Sequence, residues 1–240
     1  MGKVVALTGK ELKQMFLSPI AYVFLMAFVV VCTFIFFRAF FLQNQASLST
    51  FFSLMPYAFS VFIPGVVMRM WAEERRQGTL EFLLTSPAET WQVVVAKFLA
   101  GAALVTACML LTLIVPYTVG KYGPLDTGPV WGGYIGSVLF GLSCLAIGMF
   151  CSAFTEDQIV SFLVSLFVLV ALVLIGHQYV QTLFAPGSQI ASVLRVISPY
   201  THFESIGRGM IDIRDIYYFC SAIVVFLYLN TVVIDLRRWR

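Results

Sequence analysis

Long stretches without any charged side chain constrain this sequence more than any other feature. They lie between Lys13 and Arg38, Arg38 and Arg69, Lys97 and Lys121, Asp126 and Glu156, Asp157 and Arg195, and Asp215 and Asp235. Only 11% of the 240 residues are charged and 60% are hydrophobic, whereas about 25% of the residues of a soluble domain are charged. Lipid, rather than water, must therefore cover most of this chain.

The apolar stretches have the length of membrane-spanning helices, each of which needs about 20 mostly apolar residues. Strands that span a membrane alternate apolar and polar residues, and these stretches are apolar on every side. We therefore expect an all-α polytopic membrane protein, a single transmembrane domain over residues 1–240 with six spans. The expected spans are Ile20–Leu42, Phe51–Trp71, Trp91–Val119, Trp131–Phe154, Ile159–Phe184 and Ile216–Leu236.

Two arrangements remain open for the stretch from Gln158 to Leu194. It could form one span followed by an outer loop, or it could contain a re-entrant turn at Ala185-Pro186-Gly187. We favour the first arrangement, because this turn signal falls where one span should end. The first apolar stretch is too long for the core of a cleavable signal peptide, so we expect it to remain as an anchor.

The distribution of lysine and arginine predicts the orientation, because cytoplasmic loops carry an excess of both. With six spans and an inner N-terminus, the cytoplasmic set is Lys3, Lys10, Lys13, Arg69, Arg75, Arg76, Lys97, Arg237, Arg238 and Arg240. The outer set is smaller: Arg38, Lys121, Arg195, Arg208 and Arg214. We therefore expect a multi-pass protein of the cytoplasmic (inner) membrane with both termini in the cytoplasm.

The N-terminal residues 1–19 have the pattern of a short amphipathic helix that lies in the inner interface. Thr8 is followed three residues later by Glu11, which is a capping-box pattern at a helix start. Leu12, Met15 and Phe16 then share one face, and Ser18-Pro19 interrupts the helix before the first span. The alternative is a soluble tail with a chance apolar stripe.

The stretch 72–90, between the second and third spans, is the densest charged segment of the chain. Gly78 breaks it, and Thr79 could cap a short helix that ends at Ser86-Pro87. That helix would present an apolar face formed by Leu80, Leu83 and Leu84. Two interpretations remain open, a docking element for another protein and a charged loop that only anchors two spans.

The outer segment 185–215 is amphipathic, and we expect it to lie along the outer interface or to dip into it. It contains His202 and Glu204, which we interpret as structural or interfacial, like His177 at the end of the fifth span. The sequence has no H-E-x-x-H, G-x-S-x-G or C-x-x-C pattern. We therefore expect no catalytic, metal-binding or cofactor-binding residues in this chain.

The run from Glu73 to Pro87, followed by Lys97 in the next helix, resembles the cytoplasmic loop of type-2 ABC exporter permeases. The early Lys-Glu-Leu segment, the six spans and the Ser198-Pro199 segment extend this resemblance over essentially the whole chain. Within the family the sequence looks most like the gliding-motility permease branch, which is close to nitrous-oxide-reductase accessory permeases. The resemblance implies that the loop supplies a coupling helix, which inserts into a cleft on an ATPase subunit.

The positions that this resemblance and the apolar face assign to the ATPase interface are Glu73, Glu74, Arg75, Gly78, Thr79, Leu80, Glu81, Leu83 and Leu84. None of the Gly-Lys pairs of the chain fits the phosphate-binding pattern G-x-x-x-x-G-K-[ST]. ATP and Mg would therefore bind to a partner chain.

The expected function is that of a permease subunit of an ATP-driven exporter, which couples hydrolysis on a separate chain to export or to force transmission. The expected partners are a cytoplasmic ABC ATPase dimer, a second copy or a related permease, and membrane lipid. The net charge of +3 gives no support to nucleic-acid binding. The alternatives are a membrane anchor or scaffold of a cell-envelope machine, and a secondary transporter. The apolar span centres fit a hydrophobic or amphipathic substrate better than a small ion.

Overall fold

The computed structural model describes residues 2–43, 47–76, 78, 89–123, 125–182, 189–207 and 212–238. Within these ranges all regular secondary structure is helical, which confirms the expected fold class. The helices are α1 (Gly2–Leu17), α2 (Pro19–Gln43), α3 (Ser49–Val67), α4 (Ala72–Arg76), α5 (Thr90–Leu111), α6 (Ile114–Tyr122), α7 (Thr127–Ser152), α8 (Gln158–Gly176), α9 (Gln178–Gln181), α10 (Gln189–Ile197), α11 (Pro199–Gly207) and α12 (Ile213–Arg238).

Six of the described stretches are long and apolar enough to cross a membrane, as expected. They are Ala21–Leu42, Ser49–Arg76, Thr90–Tyr122, Thr127–Phe154, Gln158–Gly176 and Ile213–Leu236. The fifth stretch ends earlier than Phe184, because His177 has an extended backbone with φ −71° and ψ 142°. The turn at Ala185-Pro186-Gly187 lies outside the described residues.

The first two helices meet at the predicted break. Ser18 lies in a bend, and Pro19 is the first residue of α2, where a missing N–H leaves no hydrogen bond unmade. The predicted capping box was wrong, because α1 already begins at Gly2. Thr8 therefore lies inside the helix, where its hydroxyl donates to the carbonyl of Val4 at 2.9 Å.

The second, third and fourth spans form the centre of the bundle, while the first, fifth and sixth spans bury much less of their surface. A run of aromatic rings crosses the core. The ring centroids of Phe28 and Phe59 are 5.2 Å apart, those of Phe59 and Phe140 are 6.3 Å apart, and those of Phe140 and Phe219 are 6.2 Å apart. This run connects α2, α3, α7 and α12 in one hydrophobic core.

Helix α7 carries small residues where neighbouring helices approach it closely. A Cβ atom at Gly133 would lie 2.4 Å from Cε2 of Phe52, and one at Gly141 would lie 2.9 Å from Cγ1 of Val105. Small residues let helices pack closely in lipid. In this chain they serve contacts within one subunit, with α3 and α5.

The third span bends between α5 and α6. Pro116 has no backbone N–H, so it cannot donate to the carbonyl of Thr112, which lies four residues earlier. The hydroxyl of Tyr134 on α7 donates to this carbonyl at 3.0 Å. The bend is thus stabilised by a hydrogen bond from the next span.

The two ends of the bundle differ in their elements. We call the end with α1, α4 and the turn at residues 153–157 the near face, and the opposite end the far face. At the far face α11 packs into the bundle, because Phe203 and Ile206 are buried and a Cβ at Gly136 on α7 would lie 2.6 Å from Ile206. Within the segment 185–215, α11 therefore packs between the spans.

Candidate functional site

The near face contains a buried cluster of three ionic side chains from three separate elements. Lys97, in the second turn of α5, is only 2% exposed. Its Nζ lies 2.6 Å from Oε1 of Glu74 on α4 and 3.0 Å from Oε2 of Glu11 on α1. The ammonium also lies 5.3 Å from the centroid of the Trp71 ring. We call Lys97, Glu11 and Glu74 the near-face ion cluster.

The charge of Lys97 is compensated by the two carboxylates, and each carboxylate is compensated by Lys97. A lysine in the membrane is unfavourable unless it is paired, and removing one partner of a buried ion pair typically costs about 3–5 kcal/mol. Lys97 donates two hydrogen bonds, and the carboxylates that accept them come from different helices. The cluster therefore fixes α1 and α4 to the third span.

Glu73 and Arg69 extend the contacts of α4 toward two further elements. The Nε2 of Gln158, the first residue of α8, donates to Oε2 of Glu73 at 2.9 Å. Arg69 lies 3.7 Å from the same carboxylate and donates to the hydroxyl of Ser18 at 3.0 Å. The residues around α4 thus contact the start of the fifth span and the bend before the first span.

Arg75 connects α4 to the end of α7. Its guanidinium donates to the carbonyl of Ala153, and to the carbonyl of Thr155 at 3.2 Å. The last carbonyls of a helix have no partner within the helix, and a cation near them is favourable. Arg75 therefore stabilises the turn between the fourth and fifth spans.

The remaining predicted interface residues begin at Gly78, directly after these contacts. Gly78 has a φ of 67°, in the left-handed region that glycine adopts without strain, and its N–H donates to the carbonyl of Arg75 at 3.0 Å. The other predicted interface residues, Thr79, Leu80, Glu81, Leu83 and Leu84, lie outside the described residues.

The C-terminal end of the stretch 72–90 is also held to the bundle. Thr90, the first residue of α5, is buried, and its hydroxyl donates to the carboxylate of Asp235 on α12. The chain between Gly78 and Thr90 is therefore flanked by anchored residues on both sides. Of the predicted interface residues, Glu74 contacts α5, Glu73 contacts α8 and Arg75 contacts the turn after α7, while α1 is reached through Lys97.

The far face has its own polar cluster, which lies around α11. Nδ1 of His202 is 2.7 Å from Oδ1 of Asp215, and the hydroxyl of Ser205 donates to the other carboxylate oxygen. The His202 ring stacks on Tyr218 with centroids 4.1 Å apart. We call His202, Ser205, Asp215 and Tyr218 the far-face cluster.

A second aromatic group lies nearby. The ring centroids of His177 and Tyr200 are 5.6 Å apart. The ring centroid of Tyr57 lies 6.3 Å from that of His177 and 6.2 Å from that of Tyr200. Across the part of the chain that the structure describes, no three His, Cys, Asp or Glu side chains come together as a possible metal site. These far-face residues brace α10 and α11 against the spans.

The sequence pattern assigned no site role to Glu11 or Lys97. Lys97 gave a usable signal, because it is a charged residue inside an apolar span and such residues are functional candidates by default. Glu11 gave a misleading one, since its spacing from Thr8 suggested a cap. Only the packing of α1 on α5 shows that its carboxylate faces the lysine.

Comparison with known proteins places the chain in a family. Residues 38–233 match the sequence model of a family described as "ABC-2 family transporter protein". The chain belongs to this ABC-2 transporter family. The matched residues include α4, α5 and the residues between them, whereas α1 with Glu11 precedes them.

Two curated ABC-2 relatives are both described as "Probable multidrug ABC transporter permease YbhR", one from Escherichia coli strain K12 and one from Escherichia coli O157:H7. Each is 34% identical over 107 residues, which cover 44% of this chain and 28% of the relative. The matched stretch therefore spans little more than a quarter of the length of these relatives. As an ABC-2 protein, this chain is a membrane subunit of an ABC transporter.

Proposed function

We propose that this ABC-2 protein is the permease subunit of an ATP-driven exporter and that residues 72–90 couple it to an ATPase on a separate chain. The observation that carries this proposal is the near-face ion cluster. Glu74 lies near the start of residues 72–90, and its carboxylate is paired inside the bundle with Lys97. A segment that only anchored two spans would not need contacts with α5, α8 and the turn after α7.

The contacts of Glu74 and Arg75 suggest a route by which a movement of residues 72–90 reaches the spans. An ATPase that displaces residues 79–88 would also displace α4. Through Glu74 this displacement reaches Lys97 on α5 and Glu11 on α1, and through Arg75 it reaches the end of α7. Packed helices joined by buried polar contacts shift as units rather than deform gradually, so several spans would respond together.

In the proposed orientation the near face is cytoplasmic and the membrane is the inner membrane. The excess of Lys and Arg on the near face supports this orientation. Single cysteines placed at Gln77 and at Thr127 test it. In cells, a membrane-impermeant thiol reagent should label the cysteine at Thr127 and not the one at Gln77, while labelling at Gln77 from outside would reverse the orientation.

We propose a hydrophobic or amphipathic substrate that two subunits handle together. The relatives are described as multidrug permeases, and the first, fifth and sixth spans leave much apolar surface uncovered in one chain. Lipid or a second permease would cover this surface. A secondary transporter fits less well, because the chain belongs to a family of ABC transporters.

Leu84→Asp tests the coupling proposal most sharply. A charge at this position should weaken an apolar contact with the ATPase, and the substitution leaves every contact described for α4 unchanged. We expect at least a tenfold loss of ATPase recovery in a pull-down and loss of transport-dependent turnover in membranes. The permease itself should still be inserted at the wild-type level.

Charge reversal at Glu73 and Glu74 should also release the ATPase, but it disturbs the near-face ion cluster as well. The matched control is Arg76→Glu, because Arg76 is exposed at the end of the same helix. This control should retain most of the ATPase binding. If Leu84→Asp and the Glu73/Glu74 reversal both bind and stimulate the ATPase normally, residues 72–90 are a passive anchor and the proposal fails.

A further inference from the structure

A groove of about 450 Å³ lies at the far face, where the bent third span meets the start of the fourth. It lies beside Pro116, between α6 and the first two turns of α7. The residues that line it are Leu113, Pro116, Tyr117, Gly120, Lys121, Leu125, Thr127, Val130, Trp131 and Tyr134. Its volume is within the range of ligand sites, about 300–1,000 Å³.

The walls of the groove suit a hydrocarbon chain. Leu113, Leu125 and Val130 supply aliphatic surface. The polar atom of Tyr134 is already used, because its hydroxyl donates to the carbonyl of Thr112. A polar ligand would therefore gain little from the groove wall at Tyr134, whereas an apolar chain could pack against the aliphatic side chains there.

The rim of the groove differs from its walls. Lys121 lies in the last turn of α6, and its Nζ is 4.7 Å from the centroid of the Tyr117 ring. Among the described residues that line the groove, Lys121 is the only cation. Tyr117 is 65% exposed and Trp131 is 64% exposed, and such aromatic side chains are typical of the boundary between membrane and water.

We propose that this groove binds one acyl chain of a glycerophospholipid whose phosphate lies on the ammonium of Lys121. The groove combines an apolar slot with a cation and with exposed aromatic side chains of the kind found near lipid headgroups. The phosphate complements the charge of Lys121. The acyl chain fills the groove, whose wall would otherwise face bulk lipid without fixed contacts. The bound lipid would stiffen the contact between α6 and α7.

Two substitutions separate this site from general solvation by lipid. Gly120→Phe fills the groove, since a Cβ at this position already approaches Cδ1 of Leu125 to 3.4 Å. Lys121→Gln removes the cation and leaves the slot open. Gly128→Phe is the matched control, because a Cβ at Gly128 would meet no atom within 4 Å and this residue does not line the groove.

The experiment uses the full chain, purified in mild detergent and titrated with phosphatidylglycerol. Native mass spectrometry counts the retained lipids, and thermal unfolding measures how far the lipid raises the Tm, since a ligand of the folded state stabilises it. Wild type and Gly128→Phe should retain one phosphatidylglycerol per chain. Gly120→Phe and Lys121→Gln should each bind it at least tenfold more weakly.

Diacylglycerol tests whether the phosphate contributes to binding, because it carries the same acyl chains but no phosphate. Wild type should bind diacylglycerol at least tenfold more weakly than phosphatidylglycerol, and Lys121→Gln should bind both alike. Equal binding of phosphatidylglycerol by wild type and Lys121→Gln would overturn the proposal. So would retention that rises without saturation in every variant, which indicates annular lipid only. Neither result depends on whether an ATPase docks at the near face.

Discussion

The near-face ion cluster and the far-face cluster both contain buried charged groups, but they connect different parts of the chain. At the near face, Lys97 pairs with residues 23 and 86 positions away, and Arg75 contacts a carbonyl 80 positions away. At the far face, His202 contacts Asp215, which is 13 positions away along the chain, and the carbonyl of Val196, which is 6 positions away. One cluster joins distant spans, and the other folds one segment onto itself.

The difference separates two roles for polar groups in a membrane bundle. A network that joins α1, α4, α5 and the α7–α8 turn can pass a displacement from one element to the others. A network within α10, α11 and the start of α12 can only hold that segment in its folded shape. Substitutions at the near face should therefore affect stability and coupling together, whereas those at the far face should affect stability alone.

Lys97→Met should have the largest effect. It leaves two buried carboxylates without a cation, so we expect a loss of about 3–5 kcal/mol in the free energy of unfolding. Thermal unfolding in detergent measures the loss. Lys13→Met is the control, because Lys13 is exposed on α1, and it should change stability by less than about 0.5 kcal/mol.

The triple variant Lys97→Met, Glu11→Gln, Glu74→Gln sharpens this comparison. Removing all three charges should recover most of the lost stability, because no unpaired charge remains. ATPase stimulation should stay low if the ionic contacts transmit the displacement. Full stimulation in this stable variant would show that packing alone carries the coupling.

Arg75→Gln should have an intermediate effect. The substitution weakens the contacts with the carbonyls of Ala153 and Thr155, and a hydrogen bond to a charged group contributes about 1.5–3 kcal/mol. We expect a loss of about 2 kcal/mol and a several-fold decrease in ATPase stimulation. Arg76→Gln, one residue further on the same helix, should change neither quantity measurably.

The double variant His202→Ala, Glu204→Ala should have the smallest effect on function. It removes the contact between His202 and Asp215 and should lower stability by about 1–2 kcal/mol. Transport and ATPase stimulation should stay within a few-fold of wild type. Complete loss of transport in a folded, assembled protein would assign the far face a role in handling substrate.

The sequence was a good guide to the spans because apolar length alone determines them. It also predicted the break at Ser18-Pro19, where proline geometry acts locally. It was wrong about Thr8, because the capping pattern requires only two residues at a spacing that also occurs inside helices. The pairing of Glu11 with Lys97 could not be read from the sequence, since it depends on how α1 packs against a helix 86 residues away.

The same limit applies to the predicted interface. Gly78 was correctly singled out as a conformational break, and its positive φ agrees with that prediction. The burial of Glu74 was not anticipated, because a charged run beside a membrane usually remains in water. The apolar face of Leu80, Leu83 and Leu84 stays a prediction.

The order of the near-face ion cluster along the chain has a consequence for biogenesis. Chains are synthesised from the N-terminus, so Glu11 and Glu74 both leave the ribosome before Lys97. A charged residue within a spanning helix opposes insertion into the bilayer. In this protein both counter-charges are already present when the third span enters the bilayer, and the lysine can be neutralised during insertion rather than after it.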